Sequence, residues 1–148
     1  MTATGARGRG GAFRRILVGY DGSPEAHDAL RTAVALADDI GGDVRVLLVV
    51  RPPAHVETAE ALANEAEAER ENLSRGLRDL LGVTTRALPE PRVVFADEPA
   101  QAIASHAEEH GFDLVVVGSH GREHATHRGV GHAVEALVRH HPCPVLVV

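Results

Sequence analysis

The residues whose spacing carries the most chemistry lie late in the chain: Gly118, Ser119, His120 and Gly121, then nine residues, then Gly131 before a helical pattern. Glycines let backbone N–H groups approach an anion closely, and a helix N-terminus adds unpaired donors and the positive end of its dipole. The layout is that of a phosphate-binding loop. It follows the apolar run Asp113 to Val117, which reads as a buried strand, so the loop belongs at a strand's carboxyl end. A second candidate is Asp21, which follows the apolar run Arg15 to Tyr20 and precedes Gly22, Ser23 and Pro24. A carboxylate there can accept from ribose hydroxyls or help to hold Mg²⁺. An aspartate in that position also serves simply as a turn former.

Other chemistries are poorly supplied. No lysine follows the glycines as a Walker motif requires, and the whole chain has none. No Ser/His/Asp constellation or paired carboxylates stand out, so no catalytic residue is assigned, and slow ATP hydrolysis by bound Mg²⁺ and water is the most that is expected. The first strand leads into Gly19, Tyr20, Asp21, Gly22 and Ser23 without the G-x-G-x-x-G of dinucleotide enzymes. A phosphoacceptor receiver domain would need clustered aspartates and a late lysine, and Asp21 stands alone. His120, His124, His127 and His132 fall within thirteen residues and raise transition-metal binding. No cysteine pair accompanies them, and a solvated loop would carry the same residues, so no metal site is assigned.

These loops need a scaffold, and the apolar patterning supplies one. Arg15 to Tyr20, Val44 to Val50, Arg92 to Ala96, Asp113 to Val117 and Pro144 to Val148 read as strands. Between the first two, Ser23 can cap a helix with Pro24 at its first position, and Ala26, Leu30, Ala33, Val34, Ala37 and Ile40 form its apolar stripe until Gly41 and Gly42 stop it. A long Ala/Glu/Leu/Arg helix is expected from about Val56 to Leu81, its inner face Ala59, Leu62, Ala66, Leu73, Leu77 and Leu80. Asp97, Glu98 and Pro99 open a third helix that Gly111 ends, and Ala133 to His140 forms a fourth. Strands alternating with helices imply right-handed crossovers: an α/β fold with an open, five-stranded, mainly parallel sheet and helices on both faces. Ligands of such sheets sit beyond the carboxyl ends of the strands, where the strand order reverses.

The chain has 148 residues, the size of one domain, and a formal net charge of −6. That charge argues against nucleic acid and anionic membranes as partners. Arg7, Arg9, Arg14 and Arg15 concentrate among glycines near the start, and residues 1–12 are expected to be a disordered tail before a domain of residues 13–148. No apolar run reaches the roughly 18 residues of a membrane span, and Met1 to Ala12 lacks a signal's apolar core. A cytoplasmic protein is expected. The single cysteine, Cys143, cannot form an intrachain disulfide, and its neighbours Pro142, Pro144 and Val145 suggest a small buried hydrophobe.

The glycine pattern resembles that of the universal stress protein family, whose nucleotide binders carry G-x-x-G, nine residues, then G followed by Ser or Thr. The likeness spans about residues 13–148. It includes Ile16, Leu17, Val18 and Gly19 with Asp21, Gly22, Ser23 and Pro24; the run Asp113 to Gly121; and the ending His141 to Val148. It implies a Rossmann-like, adenine nucleotide alpha hydrolase-like fold and a stress-response role as an ATP-liganded sensor or scaffold, with Mg²⁺ as a companion ion. Position by position, it implies that Gly118, Gly121 and Gly131 cradle phosphates with Arg122 beside them. Asp21 would face the ribose and phosphates, and the Val50 backbone would meet adenine. The hydroxyl residue expected after the third glycine is His132 here. An imidazolium can replace that donor, or a bulkier neutral ring can crowd the site. The alternative is therefore a nucleotide-free protein acting through dimerisation and protein contacts. Pro144 to Val148 is an apolar strand expected at a sheet edge, where pairing with a second copy would form a homodimer, as in similar proteins.

Overall fold

Apolar runs without polar alternation are strands that must be covered on both faces. The computed structural model describes residues 13–82, 91–120, 132–140 and 143–148. In order they form β1 (Arg15–Tyr20), α1 (Pro24–Ile40), β2 (Asp43–Val50), α2 (Ala59–Leu81), β3 (Pro91–Phe95), α3 (Pro99–Glu109), β4 (Leu114–Val117), α4 (His132–Arg139) and β5 (Val145–Val147). The sheet order is β3-β2-β1-β4-β5, and every pair is parallel. The expected five-stranded sheet with helices on both faces is present. Residues 1–12, expected to be a tail, lie outside the described residues.

Alternation along β1 divides the core. Ile16 and Val18 pack with Ala29, Leu30 and Ala33 of α1 and with Leu73 and Leu77 of α2. Leu17, Leu47, Val115 and Val117 face the opposite way, against Ala100, Ile103 and Ala107 of α3 and Val134 and Leu137 of α4. Gly19 belongs to this second face: a Cβ there would stand 2.9 Å from Ile103 Cδ1 and 3.0 Å from Val117 Cγ1. α1 begins as its sequence dictates, with Ser23 Oγ accepting from the Ala26 N–H at 3.1 Å and Pro24 in the first turn. It ends at Gly41, whose φ of 70° is left-handed.

Most boundaries shift by a residue or so from the sequence reading, and three of the changes have a physical reason or consequence. β3 starts at Pro91, a proline tolerated because this is the first residue of an edge strand. β5 contracts to three residues. α2 starts at Ala59, after Thr58 Oγ1 accepts from the Ala61 N–H at 3.1 Å, and its expected inner face holds only in part. Leu73 and Leu77 are buried, but Leu62 and Ala66 are half-buried and Ala59 is exposed. The sheet ends at β3, so the first half of α2 has little sheet beneath it.

That asymmetry is testable by urea denaturation. Leu77→Ala, at a side chain 1 % exposed, is expected to cost about 2–5 kcal/mol. Leu62→Ala, on the overhanging half, is expected to cost less than about 1 kcal/mol.

Candidate functional site

The strand order reverses between β1 and β4, which makes the carboxyl ends of these two strands the switch point where open α/β sheets take their ligands. Asp21 directly follows β1, Gly118 directly follows β4, and Val50 closes neighbouring β2. Three of the sequence-derived site residues are thereby brought to one end of the sheet. His132 is the first residue of α4 and is exposed. Gly121, Arg122 and Gly131 lie outside the described residues, as do His124 and His127. Among the described residues no group of three or more His, Cys, Asp or Glu side chains gathers as a metal cluster would.

The local geometry gives each residue a task within the fold. Asp21 Oδ1 accepts from the Ser23 N–H at 2.9 Å, an Asx turn that sets up the cap of α1. The Val50 carbonyl accepts from the Ala96 N–H at 3.0 Å, which leaves that oxygen's second lone pair for any further donor. Gly118 is buried against the first turn of α1, and a Cβ there would stand 2.7 Å from Glu25 C and Cβ and 2.9 Å from its O. Its missing side chain therefore makes room for a helix backbone, a packing role that the glycine spacing alone did not reveal.

Beyond Gly118 the chain is pinned twice. The Ser119 N–H donates to the Val148 carbonyl at 2.9 Å, and Ser23 Oγ lies 3.5 Å from the His120 carbonyl as a long donor contact. Ser119 Oγ sits 3.0 Å from His120 Nδ1, while His120 Nε2 is buried with no hydrogen-bond partner among the described residues. A buried imidazole nitrogen at the start of the loop is a polar group that the rest of the loop, a ligand or water can satisfy. Sequence reasoning placed His120 in the glycine loop and the histidine-rich stretch without giving it a role, and assigned Ser23 no contact beyond its cap.

Away from this loop, Cys143 is half-buried. Burial pushes its thiol pKa up, the nearby Asp113 carboxylate adds to that, and a backbone hydrogen bond from Val115 partly opposes both. A thiol held protonated is a poor nucleophile, in line with the small hydrophobe read from the sequence.

Fold and strand order together define a doubly wound α/β protein with a glycine-led loop at its switch point. Residues 12–148 match the universal stress protein family, and the chain belongs to it. It is 30 % identical to the universal stress protein YxiE of Bacillus subtilis, an alignment covering 92 % of this chain and 99 % of that one. Among solved structures it superposes on the universal stress protein UspA from Lactobacillus plantarum with a TM-score of 0.75 at 27 % identity, covering 93 % and 99 % of the two chains. A universal stress protein solved in complex with cAMP shares the fold at 21 % identity, with a TM-score of 0.71 and coverage of 93 % and 98 %. No helix among the described residues is long and apolar enough to cross a membrane.

The contact between loop and helix sets two expectations for thermal or urea unfolding. Ser23→Ala should cost about 1 kcal/mol as the α1 cap is lost. Gly118→Ala should cost about 1–3 kcal/mol, since the added carbon meets backbone that cannot swing aside. Wild-type stability in Gly118→Ala would show that α1 gives way freely.

Proposed function

We propose that this universal stress protein binds an adenine nucleotide, ATP with Mg²⁺, at the switch point between β1 and β4 and acts in the stress response as a sensor or scaffold. Binding rather than covalent chemistry is its mode of action. The observation that carries this reading is the meeting of Asp21 and the Gly118 loop at the sheet's switch point, where open α/β sheets take their ligands. The cAMP held by a protein of the same fold supports the adenine-nucleotide class.

The residues present fit such a ligand in kind. Asp21 offers a carboxylate for ribose hydroxyls or a metal ion, and Val50 offers main-chain groups to adenine. His120 Nε2 is a buried nitrogen without a hydrogen-bond partner among the described residues. Gly121, Arg122 and Gly131 would bring backbone donors and a guanidinium to the phosphates. His132 opens α4, where helix-end donors favour an anion and an imidazolium can add charge. The bound nucleotide would supply the phosphates on which loop and helix converge.

A nucleotide-free scaffold is the second reading, favoured by His132 in the place of a hydroxyl residue. Mass detection of adenine nucleotide released from the denatured protein, with calorimetry of ATP and Mg²⁺, separates the two. The expected result is released adenine nucleotide and a measurable ATP isotherm, weakened in His132→Ser if the imidazole has taken over the donor role of the missing hydroxyl residue. No heat at millimolar ATP would leave the scaffold reading in its place.

Either reading includes a homodimer through β5. This strand is a sheet edge with Leu146 37 % exposed, and Val138 on the adjacent α4 is 47 % exposed. Apolar edges of this kind favour pairing about a two-fold axis. Light scattering should report a dimer that Leu146→Asp converts to monomer; a monomeric wild type, or a dimer indifferent to that charge, would exclude this edge.

A further inference from the structure

The opposite end of the sheet holds a cleft of about 650 Å³ that neither the glycine loop nor β5 uses. Among the described residues four arginines line it, Arg15, Arg45, Arg70 and Arg92, against a single carboxylate, Glu67. Glu67 is already engaged, paired with Arg70 one turn along α2. The placement of the other three follows from the pleat. Leu17, Leu47 and Val94 lie in the core beneath α3, and Arg15, Arg45 and Arg92 each precede one of them by two residues, so they share that face. The register sets Arg45 beside Leu17 and Arg92 beside Leu47. The arginines thus form a diagonal across β1, β2 and β3, spaced about 8 Å apart at Cα by the strand separation and a two-residue offset.

The far wall comes from the end of α3 and the residues after it. His106 stacks with Phe112 at 5.9 Å between ring centroids and lies 4.3 Å from the His110 ring. Arg15 lies over Phe112 at 4.9 Å and donates to the His110 carbonyl at 2.6 Å, which fixes its guanidinium. Arg45 makes one hydrogen bond, to the Val44 carbonyl, and neither it nor Arg92 is ion-paired among the described residues. Like charges gathered in a concavity focus a positive potential, here on a chain whose net charge is −6. His106 feels it: burial first, then His110 and Arg92, hold its pKa below the ordinary histidine value, with Glu109 opposing them.

We propose that this cleft binds a multivalent oxyanion, a small molecule bearing several phosphate or carboxylate groups, on Arg15, Arg45 and Arg92 beside His106. Guanidinium forks match the paired oxygens of both groups, and the ring set of His106, His110 and Phe112 gives the ligand an apolar wall. The site is separate from that of the nucleotide, at the other end of the same strands.

Pyrophosphate and citrate are the probes, followed by calorimetry and by NMR titration of the His106 ring, assigned through His106→Gln. A bound anion offsets the cations around His106, so its pKa should rise with at least one probe, and the probe that binds tighter identifies the group preferred. Arg45→Gln with Arg92→Gln should weaken that binding by about tenfold or more while leaving nucleotide binding at the Gly118 loop unchanged. Should the double variant prove unstable, Arg92→Gln alone, at an exposed position of an edge strand, reads the same loss. An unmoved His106 pKa with both probes, or full affinity in the arginine variants, overturns the proposal.

Discussion

The approach of Gly118 to the first turn of α1 is the constraint on which the carboxyl end of the sheet depends. A peptide backbone can lie against another only where no Cβ intervenes, and here the space a side chain would need is held by Glu25 itself. The contact locks the exit of β4 to the start of α1. Because α1 starts from the Asx turn at Asp21 and the cap at Ser23, the two loops flanking the switch point are held in one frame. The Ser119 bond to the Val148 carbonyl joins the residue after β5 to that frame as well.

Parallel strands share a direction, so the two ends of this sheet differ in chemistry. The carboxyl ends lead into turns, caps and a glycine-led loop, which present backbone donors and short polar side chains. The amino ends carry Arg15, Arg45 and Arg92, whose length lets the charge reach past the last covered residue while the stem stays on apolar surface. Asp113 steadies this end by accepting at 3.0 Å from the N–H groups of both Arg14 and Arg15. It does so through the main chain and leaves the Arg15 guanidinium to Phe112 and His110.

The helices divide the labour unevenly. α1 is held to the sheet along its whole buried stripe, whereas α2 is anchored by Leu73 and Leu77 and leaves its first half over the β3 edge. That overhang lets Ala63, Ala66 and Glu67 form one side of the cationic cleft. A longer β3, or a sixth strand beside it, would have covered the same ground.

By itself the sequence determined the order and type of the elements, because unbroken Val/Leu runs, a Ser-Pro helix start and left-handed glycines report on local backbone and burial that neighbours in the chain largely decide. It also located Asp21, Val50 and Gly118 at strand ends, since a strand's last apolar residue marks where its loop begins. The roles of those residues were less legible. That Gly118 makes room for Glu25, that Ser23 reaches the His120 carbonyl, and that three arginines from three separate strands stand in one cleft are relations between segments far apart in the chain. Only the tertiary structure decided them. Spacing along one strand fixes which face a side chain takes, but which strands become neighbours, and in what register, is set by packing of the whole sheet.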